Sequence, residues 1–153
     1  FNVNIIAYDK YKKGFSDANV KEVSLEEIFE FAHVVSFHIP QNKETKYLGN
    51  ESFFKKFNNS IYLLNISRGK IVNTKDLINA IDLNIIKGAA LDVLEYEPSS
   101  FDPFLEVIPE KLYNKLKNNY KIILTPHVAG WTKESYFKLS NVLANKVLNH
   151  YQK

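Results

Sequence analysis

The sequence has the length and the balance of a single soluble domain. Its 153 residues are 45% hydrophobic and 24% charged, which is ordinary for a globular protein that buries a core. No apolar run approaches the roughly 20 residues that cross a bilayer, and the net charge of +3 comes from scattered lysines. We therefore expect neither a membrane nor a nucleic acid as partner. Cysteine is absent, which excludes disulfides and fits a cytoplasmic protein.

Short apolar runs alternate with helical patterns along the chain, which predicts a parallel sheet with crossover helices. The predicted strands are Val3–Tyr8, Val34–His38, Ile61–Asn65, Gly88–Val93 and Ile122–Leu124. Residues 10–23 are predicted to form a polar loop. The predicted helices open at a Ser24–Glu27 capping box, at Asn50, at Asn73 or Thr74, at Pro109 and after Thr132, and end near residues 31, 57, 83, 117 and 151.

The sequence lacks the glycine-rich turn with which a dinucleotide-binding domain normally begins. That turn and the helix after it hold the cofactor pyrophosphate. No Gly-x-Gly-x-x-Gly occurs, and Phe1 stands just before the first predicted strand. We therefore expect an α/β fold, a Rossmann-type doubly wound parallel sheet whose first strand–loop–helix unit is missing. Residues 1–153 would be a partial dinucleotide-binding domain.

An acid, Asp9, closes the first predicted strand. A carboxylate in this place commonly accepts hydrogen bonds from the adenosine ribose and repels a 2′-phosphate, which favours NAD over NADP. Lys10, Lys12 and Lys13 follow closely and weaken the exclusion of NADP. For an isolated motif of this kind, a solvated loop acid is the more common explanation.

Three later strand ends carry an arginine, an acid and a histidine. Arg68, the only arginine, offers a planar fork that grips a carboxylate with two parallel bonds, and Gly69 permits a backbone that aims it over the sheet edge. Glu97 is the last of three acids, with Asp92 and Glu95, at the end of the Gly88–Val93 strand. His127 stands between a strand and a helix. Each has an ordinary structural explanation when taken alone.

Together these groups fit one reaction. The carboxyl ends of parallel strands meet at one edge, where ligands of open α/β sheets bind. The chemistry that needs this set is hydride transfer on a 2-hydroxy acid. Arg68 would hold the substrate carboxylate, and His127 would take the hydroxyl proton. Glu97 would bond the far imidazole nitrogen, fixing the tautomer and favouring the imidazolium.

Three segments, 65–73, 88–98 and 125–132, resemble the signature blocks of the D-isomer-specific 2-hydroxyacid dehydrogenases, the group that includes phosphoglycerate, D-lactate and glycerate enzymes. Residues 36–40 with Thr45 resemble the same family's strand and loop beside the adenosine. The resemblance spans nearly the whole chain. It implies that Arg68, Glu97 and His127 are the catalytic residues and that NAD is the cofactor.

The expected NAD site follows in part from the same resemblance. Asp9 would bind the adenosine ribose, and Asp92 the nicotinamide carboxamide. The remaining residues expected to line the cofactor cleft are His38, Pro40, Thr45, Ile66 and Gly130. Glu95 lies two residues before the family acid and is interpreted as structural or solvated. No metal site is expected.

Further expectations concern the whole protein. The family's separate substrate domain is missing from these residues. Because the segment that should hold the cofactor pyrophosphate is missing too, residues 1–153 alone should bind NAD poorly. The partner is a small 2-hydroxy or 2-keto acid, and a homodimer is expected. Trp131 and its surroundings favour the phosphoglycerate or general hydroxyacid branch. The long stretch 99–120, with exposed-looking Phe101 and Phe104, is interpreted as an elaborated rim or dimer contact. The alternatives are an NAD-sensing binding module and an inactive, truncated gene product.

Overall fold

The computed structural model describes residues 2–97 and 108–151, and these form six strands and five helices. The strands are β1 (Ile5–Ala7), β2 (Val20–Glu22), β3 (Val34–Phe37), β4 (Ile61–Asn65), β5 (Ile86–Leu91) and β6 (Ile122–Leu124). The helices are α1 (Leu25–Phe31), α2 (Glu51–Phe54), α3 (Thr74–Asp82), α4 (Glu110–Lys117) and α5 (Lys133–Tyr151), and a 3₁₀ turn covers Gly69–Ile71. Phe101 and Phe104 lie outside the described residues.

Every strand pairing is parallel, which confirms the predicted α/β class. β1 pairs with β2, and β3, β4, β5 and β6 form a second sheet in that order. Lys10, after β1, bonds Glu44, in the loop after β3, with Nζ and Oε2 2.5 Å apart. The loops that leave the carboxyl ends of both sheets therefore lie side by side. We call the carboxyl ends of β3 to β6 and their loops the carboxyl edge.

The prediction of a loop over residues 10–23 was wrong at the end of that range, where β2 forms. Val20 pairs with Ile5 in register, so a short segment flanked by charges becomes a strand through its partner and not through its own pattern. Helix α2 is also shorter than predicted, because the chain turns toward α1 after Phe54. Asn58 N donates to the Phe29 carbonyl oxygen at 2.9 Å there.

The predicted helix starts at Ser24, Asn50 and Asn73 are confirmed by side-chain caps. Ser24 Oγ accepts from Glu27 N at 3.1 Å, and Glu27 Oε2 accepts from Ser24 N at 2.9 Å, which completes the capping box. At α2 the Asn50 side chain accepts from Phe53 N. For α3 the cap is Asn73 and not Thr74. These caps satisfy backbone amides that no helical carbonyl reaches.

Helices α1 to α4 share one hydrophobic core with one face of the four-stranded sheet. Alternate residues of β3 and β4 point into it, as the period of a strand requires. The principal core side chains are Phe29, Phe37, Phe53, Phe54, Ile61, Leu63, Leu77, Ile81, Ile86, Leu91 and Leu116. Because this core fixes the strands side by side, it also fixes the loops of the carboxyl edge.

The other face of this sheet and helix α5 are open to solvent. Val34, Tyr62 and Ile123 point away from the core and are at least half exposed. None of the 19 residues of α5 is buried. Within residues 2–97 and 108–151, no helix combines the length and the apolar character needed to cross a membrane.

Candidate active site

An imidazole–carboxylate pair stands on the carboxyl edge. His127 Nδ1 lies 3.1 Å from Glu97 Oε2. The other carboxylate oxygen of Glu97 accepts a hydrogen bond from Leu94 N at 2.7 Å, so the carboxylate is held against its own backbone turn. The His127 side chain is 54% exposed and that of Glu97 32%. Nδ1 therefore faces Glu97, and Nε2 is the ring nitrogen on the side away from this carboxylate.

A buried carboxylate, that of Asp92, holds the loop that carries His127. Asp92, at the end of β5, is 4% exposed. Its Oδ1 accepts from the Thr125 hydroxyl at 2.5 Å and from Val128 N at 2.9 Å, and its Oδ2 accepts from Ala129 N at 2.8 Å. Three bonds from one side chain thus fix the loop on both sides of His127.

These bonds decide the charge of Asp92. Burial alone would raise the pKa of this carboxyl, but the Thr125 hydroxyl and the two loop amides stabilise its anion, and the pKa lies below the ordinary 3.8. The stabilisation is therefore fully present above pH 3.8 and is lost as the pH falls through the lower, folded-state pKa.

We expect Asp92→Asn to lower the free energy of unfolding by about 1–3 kcal/mol at pH 7. The NH₂ group of asparagine would replace a carboxylate oxygen that now accepts a hydrogen bond from the loop, and two donors would then face each other. The native protein should lose this advantage below pH 3.8, so the two proteins should converge in acid. Urea titrations of both from pH 7 to pH 3 measure the difference. A constant difference across that range would contradict the linkage.

Arg68 is carried by a turn that buried polar groups hold. The Asn65 side chain, fully buried, donates from Nδ2 to the Arg68 carbonyl at 3.0 Å and accepts from Ser67 N at 3.2 Å. The Ser67 hydroxyl donates to the Phe37 carbonyl. Arg68 itself is exposed, with extended backbone, and Nη1 donates to the Ser67 carbonyl at 2.6 Å. The turn therefore presents a guanidinium on the carboxyl edge.

Gly69 brings this turn against the segment that carries Glu97. A Cβ at Gly69 would lie 1.8 Å from the Leu94 carbonyl oxygen and 2.7 Å from Glu95 N. Only a residue without a side chain permits this approach. The backbone freedom that the sequence suggested for Gly69 is not used, because its φ is not positive. Its role in the structure is close packing, which brings the Arg68 turn against Leu94, three residues before Glu97 in the sequence.

The residues expected at the adenosine end lie on the neighbouring loops. Asp9 is exposed, and its Oδ1 accepts from Tyr11 N and Lys12 N, each at 2.8 Å. The Lys12 and Tyr11 amides hold the pKa of this carboxyl below its usual range. Asp9 is thus an exposed anion at the carboxyl end of β1, whose direction its own turn fixes.

The other expected cofactor residues follow β3, β4 and β6. His38 Nε2 lies 2.9 Å from Ser36 Oγ. Thr45 Oγ1 donates to the Pro40 carbonyl at 2.6 Å, which closes the loop after β3. Ile66 is 39% exposed beside the Arg68 turn. Gly130, after His127, has open space around it. All of these residues lie at the carboxyl ends of strands or in the loops that follow.

The sequence matches a known family model over most of its length. The model describes the NAD binding domain of the D-isomer specific 2-hydroxyacid dehydrogenases, and it matches residues 1–129. The chain belongs to this family. That membership confirms the resemblance on which the sequence interpretation relied.

Several D-2-hydroxyacid dehydrogenases are similar to this chain. The D-lactate dehydrogenase of Lactiplantibacillus plantarum is 32% identical over 148 residues, which cover 95% of this chain and 45% of that protein. That of Streptococcus agalactiae is 36% identical over 142 residues, 88% of this chain and 42% of that protein. The NAD-complexed D-isomer specific 2-hydroxyacid dehydrogenase of Lactobacillus delbrueckii ssp. bulgaricus has a TM-score of 0.82 and 29% identity, covering 97% of this chain and 46% of that one. The chain spans less than half the length of these relatives.

The sequence did not predict the structural role of one polar residue of this dehydrogenase domain, Asn65, and left two alternatives open for another, Glu95. Asn65 was treated as a strand end, yet its buried amide organises the Arg68 turn. Glu95 was interpreted as structural or solvated. It is 7% exposed and bonds Thr74 N at 2.9 Å, so the structural alternative is right. The signal that could have identified Asn65 is its place as the polar first residue of the 65–73 segment.

Proposed function

We propose that this protein interconverts a D-2-hydroxy acid and its 2-keto acid with NAD as cofactor. The observation that supports this most strongly is the His127–Glu97 pair, 3.1 Å apart, on the same carboxyl edge as the turn that carries Arg68, the only arginine of the chain. An acid–base group and a guanidinium that share one edge suit a substrate that carries a carboxylate and an adjacent hydroxyl. The match to the NAD binding domain of the D-isomer specific 2-hydroxyacid dehydrogenases supports the same proposal.

The side chains divide the work. Arg68 binds the substrate carboxylate with its planar fork. His127 Nε2 accepts the hydroxyl proton during oxidation and returns it to the keto oxygen during reduction. Glu97, bonded to Nδ1, keeps the ring in the tautomer that this exchange needs and stabilises the imidazolium. Bound NAD supplies the nicotinamide ring that accepts or donates the hydride.

The residues present fit the two ends of NAD. Asp9 is an exposed anion at a strand end, suited to a ribose diol. His38, Pro40 and Thr45 follow β3, Ile66 follows β4, and Gly130 follows His127 in the loop after β6. Asp92, whose two oxygens already hold the His127 loop, is proposed to reach the nicotinamide carboxamide with its remaining acceptor capacity.

The substrate class can be tested with a panel of 2-keto acids. The relatives reported above are named D-lactate dehydrogenases, so we propose pyruvate as the first member, ahead of the phosphoglycerate branch that the sequence alone favoured. The native protein, as its gene encodes it, is mixed with NADH and each acid, and NADH absorbance is followed. Loss of absorbance supports the proposal. NADH binding in a calorimeter without any turnover would favour an NAD-sensing module instead.

Arg68→Lys tests the carboxylate site. Lysine keeps the charge but loses the two parallel bonds, so we expect the KM of the 2-keto acid to rise by about 10- to 100-fold, the equivalent of one charge-assisted hydrogen bond. The KM of NADH, measured in the same variant, should stay within about twofold and serves as the internal control. Equal changes in both constants would argue against a specific role for Arg68.

A further inference from the structure

Glu95 is a buried carboxylate that the proposed chemistry does not use. It is 7% exposed, and its Oε2 accepts a hydrogen bond from Thr74 N at 2.9 Å. Thr74 is the first residue of α3 and is 4% exposed. Burial of a carboxylate is costly unless hydrogen bonds compensate it, and the amino end of a helix favours an anion. Glu95 therefore has a defined partner, 21 residues away in sequence.

This bond is the second of two points that join the Arg68 segment to the segment that carries Glu97. At the first point, the Gly69 Cα packs against the peptide between Leu94 and Glu95. At the second, five residues later, the Glu95 side chain holds Thr74 N. Residues 69–74 thus meet residues 94–95 at both ends. Two separated points fix an orientation, whereas one point leaves a pivot.

The same short segment also holds the acid–base pair. Leu94 N donates to Glu97 Oε1, and Glu97 N donates to the Leu94 carbonyl at 3.1 Å. The second oxygen of Glu97 faces His127. Residues 94–97 therefore contact both the turn that carries Arg68 and the imidazole of His127.

We propose that Glu95 is a positioning residue that fixes the Arg68 guanidinium relative to His127, and so sets where the substrate carboxylate lies against the acid–base group. The inference rests on the proposed function. Small displacements of a binding group at a reacting centre carry large kinetic costs. Glu95 acts through Arg68 and does not touch the substrate.

Glu95→Ala removes the acceptor of Thr74 N, and Glu95→Gln keeps an oxygen acceptor of the same reach. In the native protein, we expect the alanine variant to raise the KM of the 2-keto acid by about tenfold. A displaced Arg68 would lose about one charge-assisted hydrogen bond to the substrate carboxylate, and tenfold is the equivalent of that loss. The KM of NADH should stay within about twofold. The glutamine variant should restore most of the loss. A purely structural cap would not separate the two substrates.

Glu27→Ala is the matched control. Glu27 also holds a backbone amide at a helix start, Ser24 N at 2.9 Å, but in α1, which follows β2 and is separate in sequence from the segments that carry Arg68, Glu97 and His127. It should lower thermal stability and leave both KM values unchanged. In an Arg68→Lys background, Glu95→Ala should add about twofold or less, because the two residues act through one interaction.

The outcomes separate the two proposals. An active native protein whose Glu95→Ala variant keeps its KM, or whose Glu27→Ala variant shows the same KM rise, overturns the role of Glu95 and leaves the proposed function standing. An additive effect in the Arg68→Lys background also overturns it. A native protein that turns over none of the 2-keto acids overturns the proposed function, and the role of Glu95 with it.

Discussion

Replacing His127 with asparagine should lower kcat for 2-keto acid reduction by about 10²- to 10⁴-fold, the usual contribution of a general acid–base group. Asparagine has no group that exchanges a proton near neutral pH. It is also the substitution least expected to disturb the fold. The backbone of His127 has φ 55, a left-handed conformation that asparagine tolerates better than most residues.

His33→Asn is the control for this experiment. His33 directly precedes β3, at the amino end of the sheet and opposite the carboxyl edge, so its loss should leave kcat within about twofold. Steady-state rates of NADH oxidation with saturating 2-keto acid measure both variants, and circular dichroism checks that both fold. A His127→Asn variant that keeps the native rate, or a His33→Asn variant that loses as much, would remove His127 from the mechanism.

Gly69→Ala should have the largest effect on stability of any single methyl group added to this domain's carboxyl edge. The new Cβ would lie 1.8 Å from the Leu94 carbonyl oxygen and 2.2 Å from its carbon, so two backbone segments must separate. Overpacking typically costs about 1–3 kcal/mol and more where backbone must move. The separation would also shift Arg68, so we expect a rise in the KM of the 2-keto acid as well.

Gly130→Ala provides the comparison for stability. It adds the same methyl group on the same edge, but nothing lies within 4 Å of the new Cβ. Its free energy of unfolding should stay within about 0.5 kcal/mol of the native value. Denaturant titrations of the three proteins provide the measurement. Similar stability for the Gly69→Ala and Gly130→Ala variants would show that the 69–74 segment is free to move away from residues 94–95.

The sequence predicted best where local chemistry decides the structure. Ile61–Asn65 and Ile122–Leu124 are apolar runs between turn residues, and both strands form with those bounds. The Ser24–Glu27 box opens its helix because its two bonds need only four consecutive residues. The pairing of His127 with Glu97 was also expected, from the resemblance to a family and from the shared edge of parallel strands.

What the sequence could not predict depends on partners distant in the chain. β2 forms because Val20 pairs with Ile5, and nothing in the sequence of Val20–Glu22 indicates which strand it pairs with. Asp92 was expected only as a cofactor ligand, because its bonds to a loop more than 30 residues away have no local signal. The Gly69 approach is equally invisible, since a glycine in a turn suggests flexibility first.

The left-handed backbone of His127 sets the fold and the chemistry against each other. That conformation costs an L-residue with a Cβ about 1–2 kcal/mol, whereas glycine adopts it freely. The domain therefore gives up part of its stability, at one position, to hold an imidazole where it faces Glu97. Selection for robustness alone would remove that ring, so a laboratory search for more heat-resistant versions of this protein will tend to discard its reactivity unless turnover is screened alongside.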